Sequence, residues 1–288
     1  MSNLLYDSQR PGSQEISWCP GCGDFAILEV LKKSLENLNK TPQQTAIISG
    51  IGQAGKLPHY IHSNGFHTLH GRALPIATGV KGANPELTVV AVGGDGDMYA
   101  EGGNHFLHML RRNPDITVLV HNNQIYGLTK GQGSPTTLEG MKTTTQPRGV
   151  TEEPINAMAI AIAQNASFVA RSFIGHKELT QDLIEQAIEH KGLAVVEIFQ
   201  PCVSFNKLNT YAWYKEHCRM IEDHDPSDRA AALALALDTE RYPLGILYRR
   251  TDKKTYEEQQ AAYQRYTTPL WQRKVDKKAL EQLLDSKK

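Results

Sequence analysis

At 288 residues with 40% hydrophobic side chains, the chain can bury a sizeable core, and its length fits one large α/β domain as well as two small ones; one domain with a C-terminal arm is expected. Lys+Arg and Asp+Glu both number 31, so no net field argues for nucleic acid or an anionic membrane as partner. Four cysteines are too few for a disulfide scaffold in a chain this long, so each needs its own explanation.

The opening MSNLLYDSQRPGSQE lacks the basic start and apolar core of a secretory signal, and no later run of about 18 apolar residues spans a bilayer. A soluble, cytoplasmic protein is expected, in which the pair Cys19-Pro20-Gly21-Cys22 points to metal or redox chemistry. Residues 25–38 place apolar side chains at helical spacing, and TAIISGIG (45–52) reads as a buried strand ending in glycines. LTVVAV (87–92) is the next strand and runs into GGDGD; a helical stretch then leads to the strand ITVLVHNN (116–123). This alternation predicts an α/β fold, a mostly parallel sheet covered by helices on both faces.

Residues 127–153, rich in Gly, Thr and Pro without periodicity, predict a long loop over a site. A helix over 154–165, a strand at 167–171, a helix over 177–190 and a buried strand at 192–199 follow, and the sheet is expected to end there. Past Cys202 the composition turns charged and aromatic, with AALALAL at 231–237 and a tail of weak helical period. The expected division is a domain over 1–215 and a helical, partner-docking arm over 216–288.

Gly50-Ile51-Gly52-Gln53-Ala54-Gly55 formally matches the dinucleotide motif G-x-G-x-x-G. That motif needs a helix opening within the glycines and an acidic residue about 20 positions on. Pro58 interrupts such a helix and no Asp or Glu lies between residues 56 and 85, so a dehydrogenase is rejected. The histidines His59, His62, His67 and His70 suggest zinc only weakly, because the gap back to Cys22 is far longer than zinc-finger spacing.

Gly93-Gly94-Asp95-Gly96-Asp97 sits at the carboxyl end of a predicted strand, where open α/β sheets place ligands. Magnesium takes oxygen donors and keeps ligand phosphates in its shell. Asp95 supplies a carboxylate, the flanking glycines admit a diphosphate, and His121-Asn122-Asn123-Gln124-Ile125 offers an amide oxygen and a carbonyl at the next strand end. The pentapeptide alone is equally an ordinary turn. With Asn123 28 residues after Asp95, the pair resembles the magnesium–diphosphate motif of thiamine-dependent enzymes.

The segments WCPGCGDF (18–25), SGIG (49–52), LHGRALPIATG (69–79), GGDGD (93–97), NNQIYGLTKGQ (122–132) and QPC (200–202) together resemble the β subunit of 2-oxoacid:ferredoxin oxidoreductases, over residues 18 to about 214. The resemblance implies the thiamine-diphosphate-binding fold. It implies that Ile51, Gly52, Gln53, Ala54 and His70 lie against thiamine diphosphate, that Asp95, Asn123 and the Ile125 carbonyl hold Mg2+, and that Gly96, Asp97, Gly127 and Leu128 surround the diphosphate. Lys130 matches the family's substrate-carboxylate lysine and, with His70, would act at the reacting centre; a solvated loop lysine is the plain alternative. The implied reaction is CoA-dependent oxidative decarboxylation of a 2-oxo acid, pyruvate or 2-oxoglutarate, with an α subunit as partner and ferredoxin as electron acceptor.

In that family four cysteines hold a 4Fe-4S iron–sulfur cluster, and Cys19, Cys22 and Cys202 match three of them. The third family position is Gln53 here, where the family reads G-I-G-C. Three arrangements compete: three-cysteine ligation with Gln53, solvent or another group on the fourth iron, which ranks first; recruitment of Cys218; or no cluster. The rival functions are accordingly a cluster-free thiamine-dependent decarboxylase and a non-catalytic iron–sulfur electron-transfer module.

Overall fold

A computed structural model describes residues 5–7, 15–264, 266 and 268–288. The first helix, α1 (Asp24–Asn37), buries Ile27, Leu28, Leu31 and Leu35 from one stripe. β1 (Thr45–Ser49) follows, then β2 (Asn64–His67), α2 (Ala73–Ala83), β3 (Thr88–Gly94), α3 (Gly103–Arg112) and β4 (Thr117–Asn122). The second half runs α4 (Ala157–Ala163), β5 (Phe168–Phe173), α5 (Lys177–Glu189), β6 (Ala194–Phe199), α6 (Tyr211–His217), β7 (Cys218–Met220), α7 (Arg229–Ala236) and β8 (Tyr242–Arg249).

The strands form one eight-stranded sheet in the order β2-β1-β3-β4-β6-β5-β8-β7 among the described residues. From β2 to β5 every pairing is parallel. Alternate side chains of the inner strands serve opposite faces: Ile48, Ala91, Val118 and Val195 pack under α2, α3, α4 and α7, whereas Ile47, Val90, Leu119 and Val196 pack under α1 and α5. Both faces are covered, which is why these strands read as continuous apolar runs rather than as alternating ones. No described helix is long and apolar enough to cross a membrane.

The sheet does not end at residue 199, as the sequence led us to expect. β8 adds antiparallel to β5 across a register shift at Val169/Ala170, and β7 pairs with β8. Two features hide β8 in the sequence. Pro243 and Gly245 sit inside it, residues that argue against a strand interior, and Gly245 takes φ +135° against the Ile221 side chain. β2 is hidden for the opposite reason: its four residues are exposed along an edge and carry no apolar pattern. The helix expected over 154–165 starts only at Ala157, where Asn156 caps it by accepting from the Ala159 N–H at 2.9 Å.

Under β8 lies a buried ion pair, Arg171 Nε to Glu197 Oε2 at 2.8 Å, each side chain 4% exposed. Tyr99 and Asn122 donate to the other carboxylate oxygen, and the guanidinium lies over the Phe199 and Tyr242 rings. Arg171→Met leaves Glu197 buried and uncompensated. Urea denaturation is expected to show a loss of about 3–5 kcal/mol, with Arg171→Met/Glu197→Leu recovering most of it.

Candidate functional site

Because β1, β3 and β4 are parallel neighbours, the segments that follow them emerge at the same edge of the sheet. They line a pocket of about 70 Å3 that opens to solvent. The turn after β1 contributes Ile51, Gly52, Gln53 and Ala54, and the segment before α2 contributes His70. The end of β3 gives Gly94, Asp95, Gly96 and Asp97; the chain after β4 gives Asn123 and Ile125 through Thr129. A turn of π-helix, Gly96–Glu101, leaves β3 at this point, a distortion common at functional sites.

Asp95 is 2% exposed, and burial pushes its carboxyl up to about 6 against the opposing pull of two hydroxyls. Those hydroxyls, Ser134 Oγ and Thr136 Oγ1, each stand 2.5 Å from Oδ2. Thr136 is also 2.9 Å from Asn122 Oδ1, so its one proton is shared between the two strand ends. Asn123 Oδ1 accepts from the Ile125 N–H at 3.1 Å, which fixes the turn and leaves a lone pair free.

Asp97 is turned to a different task. Its Oδ1 accepts from the backbone N–H of Ile51 at 3.0 Å and of Gly71 at 2.8 Å, so one carboxylate braces the turns after β1 and before α2. Burial pushes its pKa up, and those two amides pull against it. His70 Nδ1 lies 3.0 Å from the same oxygen and 3.3 Å from Glu101 Oε2, its side chain 35% exposed. Gly96 is backed by the Tyr126 ring, which any Cβ there would overlap, and the Tyr126 hydroxyl donates to Glu101 at 3.2 Å.

A second, smaller pocket adjoins the first and shares Gln53, Asn123 and Gly127 with it. Cys19 and Cys22, just before α1, and Cys202, just after β6, all line it, and none is in a disulfide. The Cys22 thiol lies 3.4 Å from Asp24 Oδ2, and Gln200 Nε2 donates to its sulfur at 3.2 Å. Burial, and then the charge of Asp24, push that thiol's pKa well up. Asp24 is itself held at 2.6 Å by His121 Nδ1, both side chains fully buried. Cys218 does not reach the chamber: at the start of β7 it is buried among Phe199, Tyr214 and Tyr242. Among the described residues no group of three or more His, Cys, Asp or Glu side chains closes on a single metal ion. Neither expected group needs one, since a magnesium–diphosphate site takes few carboxylates and cluster thiolates bind different irons.

Residues 49–198 match the family described as "Thiamine pyrophosphate enzyme, C-terminal TPP binding domain", and residues 202–265 match the family of the C-terminal part of the pyruvate ferredoxin oxidoreductase β chain. The chain is 44% identical over 257 residues to "2-oxoacid:ferredoxin oxidoreductase 1, subunit beta" of Aeropyrum pernix, covering 85% of this chain and 81% of that one. The chain belongs to the 2-oxoacid:ferredoxin oxidoreductase β-subunit family. It is likewise 43% identical over 203 residues to "2-oxoglutarate oxidoreductase subunit KorB" of Mycobacterium tuberculosis, covering 70% of this chain and 54% of that one. Among solved structures, the 2-oxoglutarate:ferredoxin oxidoreductase of Magnetococcus marinus, with 2-oxoglutarate, coenzyme A and succinyl-CoA bound, is similar at TM-score 0.89 and 38% identity, covering 98% of this chain and 97% of that one.

In this β-subunit chain the thiamine-binding match contains every strand end that lines the first cavity. The structure brings together all the residues expected at the cofactor, from Ile51 to Leu128, but not Lys130. That lysine is exposed, with φ +76°, one residue beyond the last lining position, in a turn closed by Gly131 N–H to Tyr126 O at 2.9 Å. Sequence reading also missed Ser134 and Thr136, whose only signal is Ser-Pro-Thr-Thr inside the expected covering loop. If Asp95 holds the expected Mg2+, Thr136→Val, which removes one of its two hydroxyl partners, weakens Mg2+-dependent thiamine diphosphate binding about 10- to 100-fold, as read by calorimetry.

Proposed function

We propose that this chain is the thiamine-diphosphate-binding catalytic subunit of an enzyme that converts a 2-oxo acid and coenzyme A to acyl-CoA and CO2, passing the electrons through an iron–sulfur cluster to ferredoxin. The observation that carries the reading is the shared wall: a cavity built on Asp95 abuts a three-cysteine chamber across Gln53, Asn123 and Gly127. The names of the similar proteins, and the ligands in the Magnetococcus marinus structure, support the same reaction class.

The residues fit the cofactor and its ion. A buried carboxylate whose Oδ2 already takes two hydroxyls, an amide oxygen with a spare lone pair and a backbone carbonyl make a magnesium-type donor set. Asp95, Asn123 and the Ile125 carbonyl would hold the ion, and Gly96, Asp97, Gly127 and Leu128 would flank the diphosphate. When bound, thiamine diphosphate supplies the carbanion chemistry that releases CO2 from a 2-oxo acid. Asp97 fixes the turn carrying Ile51 and Gly52, and His70 Nδ1 lies 3.0 Å from its Oδ1 at the cavity rim. Lys130, exposed beside the rim, would meet a substrate carboxylate arriving from outside.

The cysteine chamber fits a cluster: three thiols from distant segments converge on it, and Gln200 supplies an N–H to one sulfur, a contact that tunes such centres. The partner α subunit is assigned the acid that activates the cofactor and most coenzyme A contacts. Because β7, α7 and β8 belong to this chain's own sheet and core, the docking expected of the arm over 216–288 is assigned only to the part beyond β8, with its exposed helix Lys277–Asp285. The test co-produces this chain with its α partner and assays pyruvate, 2-oxoglutarate and longer 2-oxo acids with coenzyme A and ferredoxin. Ferredoxin reduction by the pair and none by this chain alone is expected. Turnover by the isolated chain, or none by the pair on any 2-oxo acid, refutes the reading.

A further inference from the structure

We propose that the side-chain oxygen of Gln53 ligates the fourth iron of the cluster in the cysteine chamber, making that iron oxygen-bound and exchangeable; the inference rests on the cluster assigned above. Gln53 lines both cavities, and its Oε1 is buried with no hydrogen-bond partner among the described residues. A buried acceptor left unsatisfied is costly, so such an atom marks a place for a ligand.

Its backbone is held where a ligand needs to be. The Gln53 carbonyl accepts from Trp18 Nε1 at 2.8 Å, and Trp18, the residue before Cys19, packs edge-on against Phe25 and Tyr60. The turn bearing Gln53 is therefore fixed in register with the Cys19–Cys22 segment. Two neighbouring acceptors of the chamber wall are already engaged: Asp24 by His121 and Cys22, and Asn123 Oδ1 by the Ile125 N–H. Among the described residues, Gln53 Oε1 is the buried side-chain oxygen of that wall left without a partner.

An amide oxygen is a harder and weaker iron donor than thiolate, and it is neutral. One negative charge fewer at the centre favours the reduced state, as neutral imidazole does in Rieske clusters, so the reduction potential should lie above that of a four-thiolate cluster. The weak bond should also let the fourth iron leave. When ferricyanide takes one electron from the cluster, that iron departs as Fe2+ and a 3Fe-4S centre with its own paramagnetic signal remains.

The experiment uses the co-produced α–β complex, reconstituted anaerobically, with iron and sulfide quantified and electron-paramagnetic-resonance spectra recorded during ferricyanide titration. In the wild type about one iron per cluster should be released and then restored by Fe2+ added together with dithionite, which supplies the one electron the three-iron centre needs to take the iron back, while Gln53→Cys should keep all four irons at the same oxidant dose and show a lower midpoint potential. In Gln53→Ala solvent should take the vacated position, so 17O-enriched water should broaden the signal of the reduced four-iron cluster in that variant and not in the wild type. A wild type that holds its fourth iron as firmly as Gln53→Cys, or that already shows 17O broadening, overturns Gln53 ligation alone. A reconstituted wild type with no iron and sulfide overturns the cluster itself.

Discussion

Asp95→Ala in the co-produced complex is expected to abolish retention of thiamine diphosphate and magnesium, with cofactor affinity more than about 100-fold below wild type. The bound falls above the roughly 10- to 100-fold typical of outer-shell partners because Asp95 is the one carboxylate of the proposed ion site. Fold damage is not expected to explain the loss. Burial disfavours that carboxylate's charged form and pushes it up to about 6, so removing it relieves a desolvation cost that offsets the lost acceptor of Ser134 and Thr136. Asp95→Asn separates the two effects further, since it keeps an acceptor for Ser134 and Thr136 and removes only the charge. Cofactor content after gel filtration and calorimetric titration in excess Mg2+ check both variants. Wild-type retention in either one would remove Asp95 from the site.

Cys202→Ala is expected to lose essentially all iron and its visible absorption while thiamine diphosphate still binds. With Gln53 where the resemblance implies a cysteine, the chamber has three cysteines, and removing Cys202 leaves only Cys19 and Cys22. Cys202 follows β6 at the chamber mouth and is partly exposed, so its loss should cost little stability. Iron, sulfide and thiamine measured on one sample decide the outcome. If wild type and variant both turn over 2-oxo acid without iron, the decarboxylase alternative takes the place of the redox one.

The inner strands were legible in the sequence because both of their faces are covered, so burial wrote itself as runs such as TAIIS and AVVEIF. The cofactor cavity was legible for a related reason: parallel strands deliver short Gly-rich segments to one edge, and Asp95 and Asn123 stand at two such ends. What escaped depends on contacts between segments distant in the chain. β8 owes its place to β5 across a bulge, and its Pro243 and Gly245 speak locally against a strand. Ser134 and Thr136 reach Asp95 across about 40 residues from a loop without periodicity, which no local pattern announces. For Asp97 the resemblance implied a group beside the diphosphate; Asp97 does line that cavity, and its Oδ1 also accepts from the Ile51 and Gly71 amides, contacts that no local pattern announces.

Gln53, Asn123 and Gly127 each face two cavities, so the partition between those cavities is a single residue thick. Under the proposed function, an electron leaving the first cavity for the second would cross that partition. For the same reason the two halves of the site are poorly separable in evolution: a substitution at any of the three positions reshapes both rooms at once. Adjusting one chemistry independently of the other has to be done from positions that touch only one side, such as Leu128 or Gln200.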